Sequence, residues 1–229
     1  NRATDVEFLP MRIDLSSPVD VHGFRTQSTT LLASQVPPAQ ISWEANAAAG
    51  FADAVRGLAS RPPPSTTALN AIVPRSFLRL TELVVLHRDE SRFDLLYRLL
   101  WRMVHEPNAV SPTDPDMALA QRMGQAVRRE VFRMKASVRM REIGSLGPAP
   151  LRFGWFVPRH HVTEEVAAAL VRSEPQPAWL VVTPDRSALW DGQRLLCGPG
   201  VASAHAHDDT GWLAFARDMQ ASGASAGSC

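Results

Sequence analysis

The segment from Val127 to Glu142, VRREVFRMKASVRMRE, constrains the fold most, because its apolar residues recur at helical spacing among six cations. At 100° per residue, the apolar side chains between Met117 and Val138 fall along one line of a helix. The spacing therefore predicts a long amphipathic helix with a cationic outer surface. The predicted buried residues are Ala120, Met123, Val127, Val131, Met134 and Val138.

Cations border this predicted apolar face on both flanks, and Glu130 is the one acidic residue from Arg122 to Arg139. A solvated helix usually alternates the sign of its charges so that residues four apart can pair, and this one does not. Two interpretations remain open: an arginine-rich surface that reflects codon usage, or an element that faces phosphates. The candidate phosphate contacts are Arg128, Arg129, Arg133, Lys135, Arg139, Arg141 and Arg159.

Charge is distributed unevenly along the chain. Residues 75–159 hold fourteen Arg and one Lys against nine acidic residues, whereas residues 160–229 hold four cations against eight acids. The net charge of the whole chain is only +1. A near-neutral protein with a basic middle can steer a polyanion toward one face, which favours the phosphate-facing interpretation.

Length and composition set the class of protein. At 229 residues and 45% hydrophobic content the chain can bury a sizeable core. No apolar run approaches the roughly 20 residues that span a bilayer, and the start lacks a signal peptide, so we expect a cytoplasmic protein without membrane contact. The residue Asn1 at the start suggests processing or a piece of a longer polypeptide. Two cysteines, Cys197 and Cys229, are too few for a disulfide framework or an all-cysteine metal site.

Periodicity and turn signals predict an α+β fold with a small N-terminal α/β unit, central helices and a mostly antiparallel C-terminal sheet. The domains that we expect are 1–73, 74–215 and a flexible tail over 216–229. The N-terminal unit is predicted to contain strands at Met11–Leu15 and Ile41–Glu44, helices at Ser17–Ser34 and Ala45–Ser60, a proline-rich break at 61–65 and an optional third strand at 68–73.

The rest of the chain is predicted to begin with a helical pair. Its first helix opens at Pro74, and Ser137–Glu142, further on, fits a helix and a strand equally well. The dipeptide Asp191-Gly192 is a hairpin signal. A helix is predicted from Thr163, and strands at Leu151–Val157, Trp179–Thr183, Ala188–Trp190 and Arg194–Cys197.

His160 and His161 are the candidate catalytic residues. They follow a predicted strand, where a loop presents side chains at a rim, and imidazole titrates near neutral pH. An acid–base role, hydrogen bonding to phosphate or base, and structural capping all remain open. Asp185 and Asp191 could orient a histidine or hold a cation, although turns favour Asp at both positions.

No metal or cofactor site is predicted. The donors clustered at residues 205–209 lack a second ligand group elsewhere in the sequence. A phosphate-cradling glycine loop, a dinucleotide fingerprint, a serine nucleophile elbow and a three-cysteine cluster are all missing, which disfavours small-molecule cofactor enzymes.

Four stretches together resemble a bacterial family of probable DNA-metabolism proteins. They are HRDESRFDLLYRLLWRM at 87–103, VRREVFRMKASVRMRE at 127–142, WFVPRHHV at 155–162 and TPDRSALWDGQRL at 183–195. Members of that family occur fused to a uracil-DNA-glycosylase-like domain or encoded beside a putative DNA-repair radical-SAM protein. The resemblance does not extend to the glycosylase-like domain, so uracil excision is not implied here.

Charge and resemblance together lead to three hypotheses. The first is a DNA-repair-associated module that binds nucleic acid through its arginine-rich element. The second is an enzyme that acts on damaged DNA or nucleotides with a histidine as acid–base residue. The third is a scaffold whose residues 1–73 dock a glycosylase-like or radical-SAM partner. The sequence leaves it open whether the protein is an enzyme at all.

Overall fold

The computed structural model describes residues 10–45, 73–106, 111, 113–173 and 175–223. The chain divides into two compact units, Asn1–Ala126 and Val127–Cys229. Both units mix helices and strands, which confirms the predicted α+β class. The expected domain boundary after residue 73 is a different division of the chain, and it stays a prediction.

The first unit begins with two parallel strands joined through a helix. Strand β1 (Met11–Leu15) pairs with β2 (Ile41–Ala45), and helix α1 (Val21–Ala33) connects them. Both strands were predicted, but α1 begins later than the predicted Ser17. The reason is a stronger cap, because the Asp20 side chain accepts a hydrogen bond of 2.6 Å from the Gly23 N–H.

Helices α2 (Arg75–Val85) and α3 (Arg92–His105) share the hydrophobic core of the two strands. Its centre is aromatic: the ring of Phe24 lies 4.9 Å from that of Trp43 and 5.4 Å from that of Phe93. Tyr97 is fully buried there, and its hydroxyl donates to the Val36 carbonyl at 2.7 Å. The apolar faces of α2 and α3 and these four aromatic rings thus form one core.

The long amphipathic helix α4 (Pro115–Ser137) forms as predicted. Asp114 caps its start by accepting hydrogen bonds from the N–H groups of Asp116 and Met117. Hydrogen bonds from Arg102 hold the pKa of Asp114 below its usual value. The ambiguity at Ser137–Glu142 is resolved at Met140, where the chain enters a strand after two connecting residues.

The second unit is built on a five-stranded sheet in the order β3-β4-β5-β6-β7. All neighbouring strands are antiparallel except β4 and β5, which run parallel and are connected through helix α5 (Thr163–Ser173). A mostly antiparallel C-terminal sheet is thereby confirmed. The strands are β3 (Met140–Leu146), β4 (Ala149–Trp155), β5 (Ala178–Val182), β6 (Arg186–Trp190) and β7 (Leu195–Pro199).

A last helix, α6 (Asp209–Gly223), packs on this sheet and was not predicted. Trp212 is fully buried, and its ring stacks on Phe153 with centroids 4.6 Å apart. Ala216 and Met219 follow on the same face of the helix and are buried too. The tail that we expected from residue 216 is therefore helical as far as Gly223, because this apolar face covers the sheet.

Several predicted elements fall outside the described residues. They are the helix after Ala45, the proline-rich break at 61–65, nearly all of the optional strand at 68–73, and the final residues 224–229. Among the described helices, none is long and apolar enough to cross a membrane.

Candidate functional site

The C-terminal half of helix α4 separates an apolar face from a cationic one. Val127 and Met134 are fully buried, as predicted. Arg128, Arg129 and Lys135 lie on the exposed side. Arg139, in the connection to β3, is exposed as well. Among the described residues, these four cations form no ion pair, so their charges face solvent.

Two of the predicted phosphate contacts have acidic partners within the second unit. The Arg133 Nε donates to Glu130 at 2.8 Å, and its guanidinium lies 4.7 Å from the centre of the Phe156 ring. Arg141 on β3 forms an ion pair with Asp209 at 2.5 Å. Their charges are therefore partly neutralised, which sets them apart from the exposed cations of α4.

Glu130, expected on the charged border of the helix, is instead buried with only 4% of its surface exposed. Its carboxylate accepts hydrogen bonds from Arg133 and, at 2.6 Å, from the backbone N–H of Arg159. Burial alone would raise its pKa, but these bonds outweigh burial and lower it. Glu130 thus anchors the loop that follows β4 to helix α4.

That loop lies at the carboxyl end of the parallel strands. Trp155, at the end of β4, pairs with Val182, at the end of β5, so the segments that follow both strands leave the same edge of the sheet. In α/β sheets this edge is the usual position of a binding crevice. The first of these segments carries His160 and His161, and the second carries Asp185.

The structure brings His161 to Asp185. The Nδ1 atom of His161 lies 3.5 Å from Oδ2 of Asp185, with 17% and 25% of the two side chains exposed. A carboxylate beside Nδ1 can fix the orientation of an imidazole, so that Nε2 is left to transfer a proton. His160 is half-buried, and its charge contributes to lowering the pKa of Glu130.

Contacts around the pair hold both segments in place. The Thr163 hydroxyl, at the start of α5, lies 3.1 Å from the Thr183 hydroxyl, and both residues are buried. Thr183 also exchanges hydrogen bonds with the backbone of Arg186. The Arg186 side chain in turn pairs with Glu164 at 2.7 Å. These contacts limit how far His161 and Asp185 can separate.

The remaining candidates have structural roles. Asp191 Oδ1 accepts hydrogen bonds from the N–H groups of Gln193 and Arg194 and so closes the β6–β7 turn. Asp208 caps α6 through the N–H of Gly211 at 2.8 Å, and the ring of His207 packs on Trp212. Within the described ranges, no group of three or more His, Cys, Asp or Glu residues could hold a metal ion.

Comparison with known proteins places this site in a family. Residues 90–220, more than half of the chain, match the family described as domain of unknown function DUF4130. The chain belongs to the DUF4130 family. No curated protein and no solved structure matches it. The matched region of this DUF4130 protein includes the exposed cations of α4, the His160-His161 loop and Asp185.

Proposed function

We propose that this DUF4130 protein is a nucleic-acid-binding module that contacts phosphates through the exposed cations of helix α4. The observation that supports it is the solvent-facing set Arg128, Arg129, Lys135 and Arg139, which the acids in the described residues leave unpaired. A cation that is already paired with a carboxylate adds little affinity for phosphate. These four cations can instead replace, and so release, the counterions of a polyanion. Arg159 is an adjacent contributor, whereas Arg133 and Arg141, which pair with Glu130 and Asp209, contribute less.

The biological setting in the proposal is DNA repair. Its support is the resemblance to probable DNA-metabolism proteins that are fused to, or encoded beside, glycosylase-like and radical-SAM repair proteins. DNA is accordingly the nucleic acid that we propose, with such a repair protein as partner. The scaffold hypothesis for residues 1–73 stays a prediction, since residues 1–9 and 46–72 of that region lie outside the described residues.

Replacing Arg128, Arg129 and Lys135 together with glutamine should weaken DNA binding and flatten its salt dependence. Each lost phosphate contact lowers the slope of log K against log salt by about 0.9 on duplex DNA and about 0.7 on single strands. We therefore expect the slope to fall by roughly 2 to 3. Fluorescence anisotropy with labelled oligonucleotides at several salt concentrations measures it.

A control with the same charge change separates a local contact from general electrostatics. Arg75 and Arg79 on α2 and Arg172 on α5 are exposed residues of other helices, and replacing them with glutamine also removes three charges. The control variant should keep most of the wild-type slope. Equal slopes in the two triple variants, or no binding by the wild-type protein at low salt, would contradict the proposal.

The His161–Asp185 pair favours a second function, acid–base catalysis on damaged DNA or nucleotides. In this role His161 exchanges a proton with substrate through Nε2, Asp185 orients the ring, and the nearby arginines hold phosphate. Because Asp185 acts on the substrate through the imidazole of His161, it is a positioning residue.

If the protein is such an enzyme, His161→Ala should lower turnover by about 10²–10⁴-fold with little change in KM. Asp185→Asn should lower kcat and also alter its pH profile, since the carboxylate sets the imidazole's orientation and basicity. Lesion-bearing oligonucleotides, incubated with and without divalent metal, provide the assay. His205→Ala, at an exposed histidine on another loop, is the control. Turnover that survives replacement of both His160 and His161 excludes this mechanism.

A further inference from the structure

Phe132 is an exposed aromatic residue at the centre of the cationic face of α4. It has 75% of its surface accessible, more than Val157 or Met11, the other exposed large apolar residues described. Helical spacing places it on one face with Arg128 and Arg129, four and three residues before it, and with Lys135, three residues after it. A flat apolar ring thus lies among three cations.

From this arrangement we infer that Phe132 stacks on an unpaired base, so that the cationic face of α4 binds single-stranded nucleic acid. This inference rests on the proposed function, because the same three cations supply the phosphate contacts. It adds to that function the form of the nucleic acid.

The chemistry of the cationic face of α4 favours a single strand as its ligand. In a duplex, the faces of each base are already covered by its stacked neighbours, so an aromatic ring on a helix surface reaches only base edges, sugar and phosphate. In a single strand the faces of the bases are accessible, and an aromatic platform beside a basic track binds them with little sequence preference. An anionic membrane is a poorer fit, since Phe132 is the one large apolar side chain on this exposed face between residues 128 and 136.

The position of the cations agrees with stacking. Arg128, Arg129 and Lys135 lie before and after the ring along the helix, so a strand that crosses α4 at Phe132 meets a positive charge on either side. Because these cations form no ion pair in the described part of the chain, phosphates do not have to displace carboxylates.

The test compares two single strands of equal charge: a labelled oligothymidine and an abasic strand with the same number of phosphates. Wild-type protein should bind the oligothymidine about 10-fold more tightly, as one stacked base predicts. Phe132→Ala should abolish that preference and leave binding of the abasic strand unchanged. Phe132→Leu should lose most of the preference, because it keeps apolar area without a flat ring, and Phe132→Trp should retain it. Circular dichroism confirms that each variant is folded.

The outcomes separate this inference from the proposed function. If wild-type protein binds both strands equally and Phe132→Ala changes nothing, while the triple glutamine variant weakens both, stacking is wrong and phosphate binding stands. If wild-type protein binds neither strand but binds duplex DNA, stacking is wrong and phosphate binding stands. If it binds no oligonucleotide at all, both proposals fail. Binding to vesicles of phosphatidylglycerol in the absence of any oligonucleotide binding would overturn both and assign the face to a lipid surface.

Discussion

Replacing Arg92 with methionine is expected to lower the free energy of unfolding of the first unit by about 3 kcal/mol. The side chain is 97% buried and donates to three backbone carbonyls: Nε to Val85 at 2.9 Å, Nη1 to Asp89 at 2.9 Å and Nη2 to Pro18 at 2.6 Å. Methionine fills similar volume but leaves the Val85 and Pro18 carbonyls without their donor, while the Asp89 carbonyl keeps only the backbone N–H of residue 92 at 3.3 Å. Urea unfolding, with hydrogen exchange of the α3 amides to locate the change, measures the loss.

Burial lowers the pKa of Arg92 to about 10, which still leaves it charged near neutral pH. Because the pKa is depressed, folding disfavours the charged form, and this cost is relieved only as the pH rises above about 10. The loss of unfolding free energy in Arg92→Met should therefore be constant between about pH 6 and 8.

Arg98→Met is the matched control, since Arg98 lies on the same helix but is 44% exposed and pairs with Asp116 at 3.2 Å. It should cost less than about 1 kcal/mol. Equal losses in the two variants would contradict the role given to Arg92.

Local sequence patterns were sufficient for most strands and for helix α4. Alternation over a few residues decides whether a strand has a buried face, and six positions at helical spacing define one side of α4. The β6–β7 hairpin follows from Asp191-Gly192 in the same way, because Gly192 has a φ of +94° that other residues rarely adopt. Each of these signals lies within one element.

Helix α6 shows where local patterns fail. Its buried residues, Trp212, Ala216 and Met219, include one small side chain, and the sequence around them contains glycines and polar residues. The stacking of Trp212 on Phe153 of β4 fixes this helix on the sheet. A contact between residues so far apart in sequence cannot be predicted from the local periodicity.

The candidate site could be predicted in part. The position of His160 and His161 after a strand indicated a rim, and Asp185 was one of two residues considered as their partner. The choice between Asp185 and Asp191 depends on the parallel pairing of β4 with β5, which places the first beside His161 and leaves the second in a hairpin. The sequence placed Glu130 on the charged border of the helix, whereas it is buried. One of its two partners, the Arg159 N–H, is 29 residues away, so local spacing does not indicate the contact.

The asymmetry of the Glu130–Arg133 pair leads to the second large effect. Glu130 has 5% of its side chain exposed, whereas Arg133 has 42% exposed. Arg133→Met leaves a buried carboxylate with one backbone donor and should cost about 3 kcal/mol. Glu130→Gln leaves an arginine that water can solvate, and its amide oxygen can still accept from Arg159, so we expect about 1 kcal/mol. Replacing the more exposed Arg133 should thus lower the free energy of unfolding more than replacing the buried Glu130.

The pH dependence of unfolding distinguishes this explanation from a simple packing loss. The pKa of Glu130 is lowered in the folded protein, so its contribution is present above the unfolded pKa and is lost as the pH falls through the folded one. Protonation also removes the buried charge that Arg133→Met leaves behind. The difference in unfolding free energy between wild type and Arg133→Met should therefore shrink below about pH 4. If it stays constant from pH 7 to pH 3, or if Glu130→Gln is the more destabilising change, the carboxylate does not depend on Arg133 in the way that its burial implies.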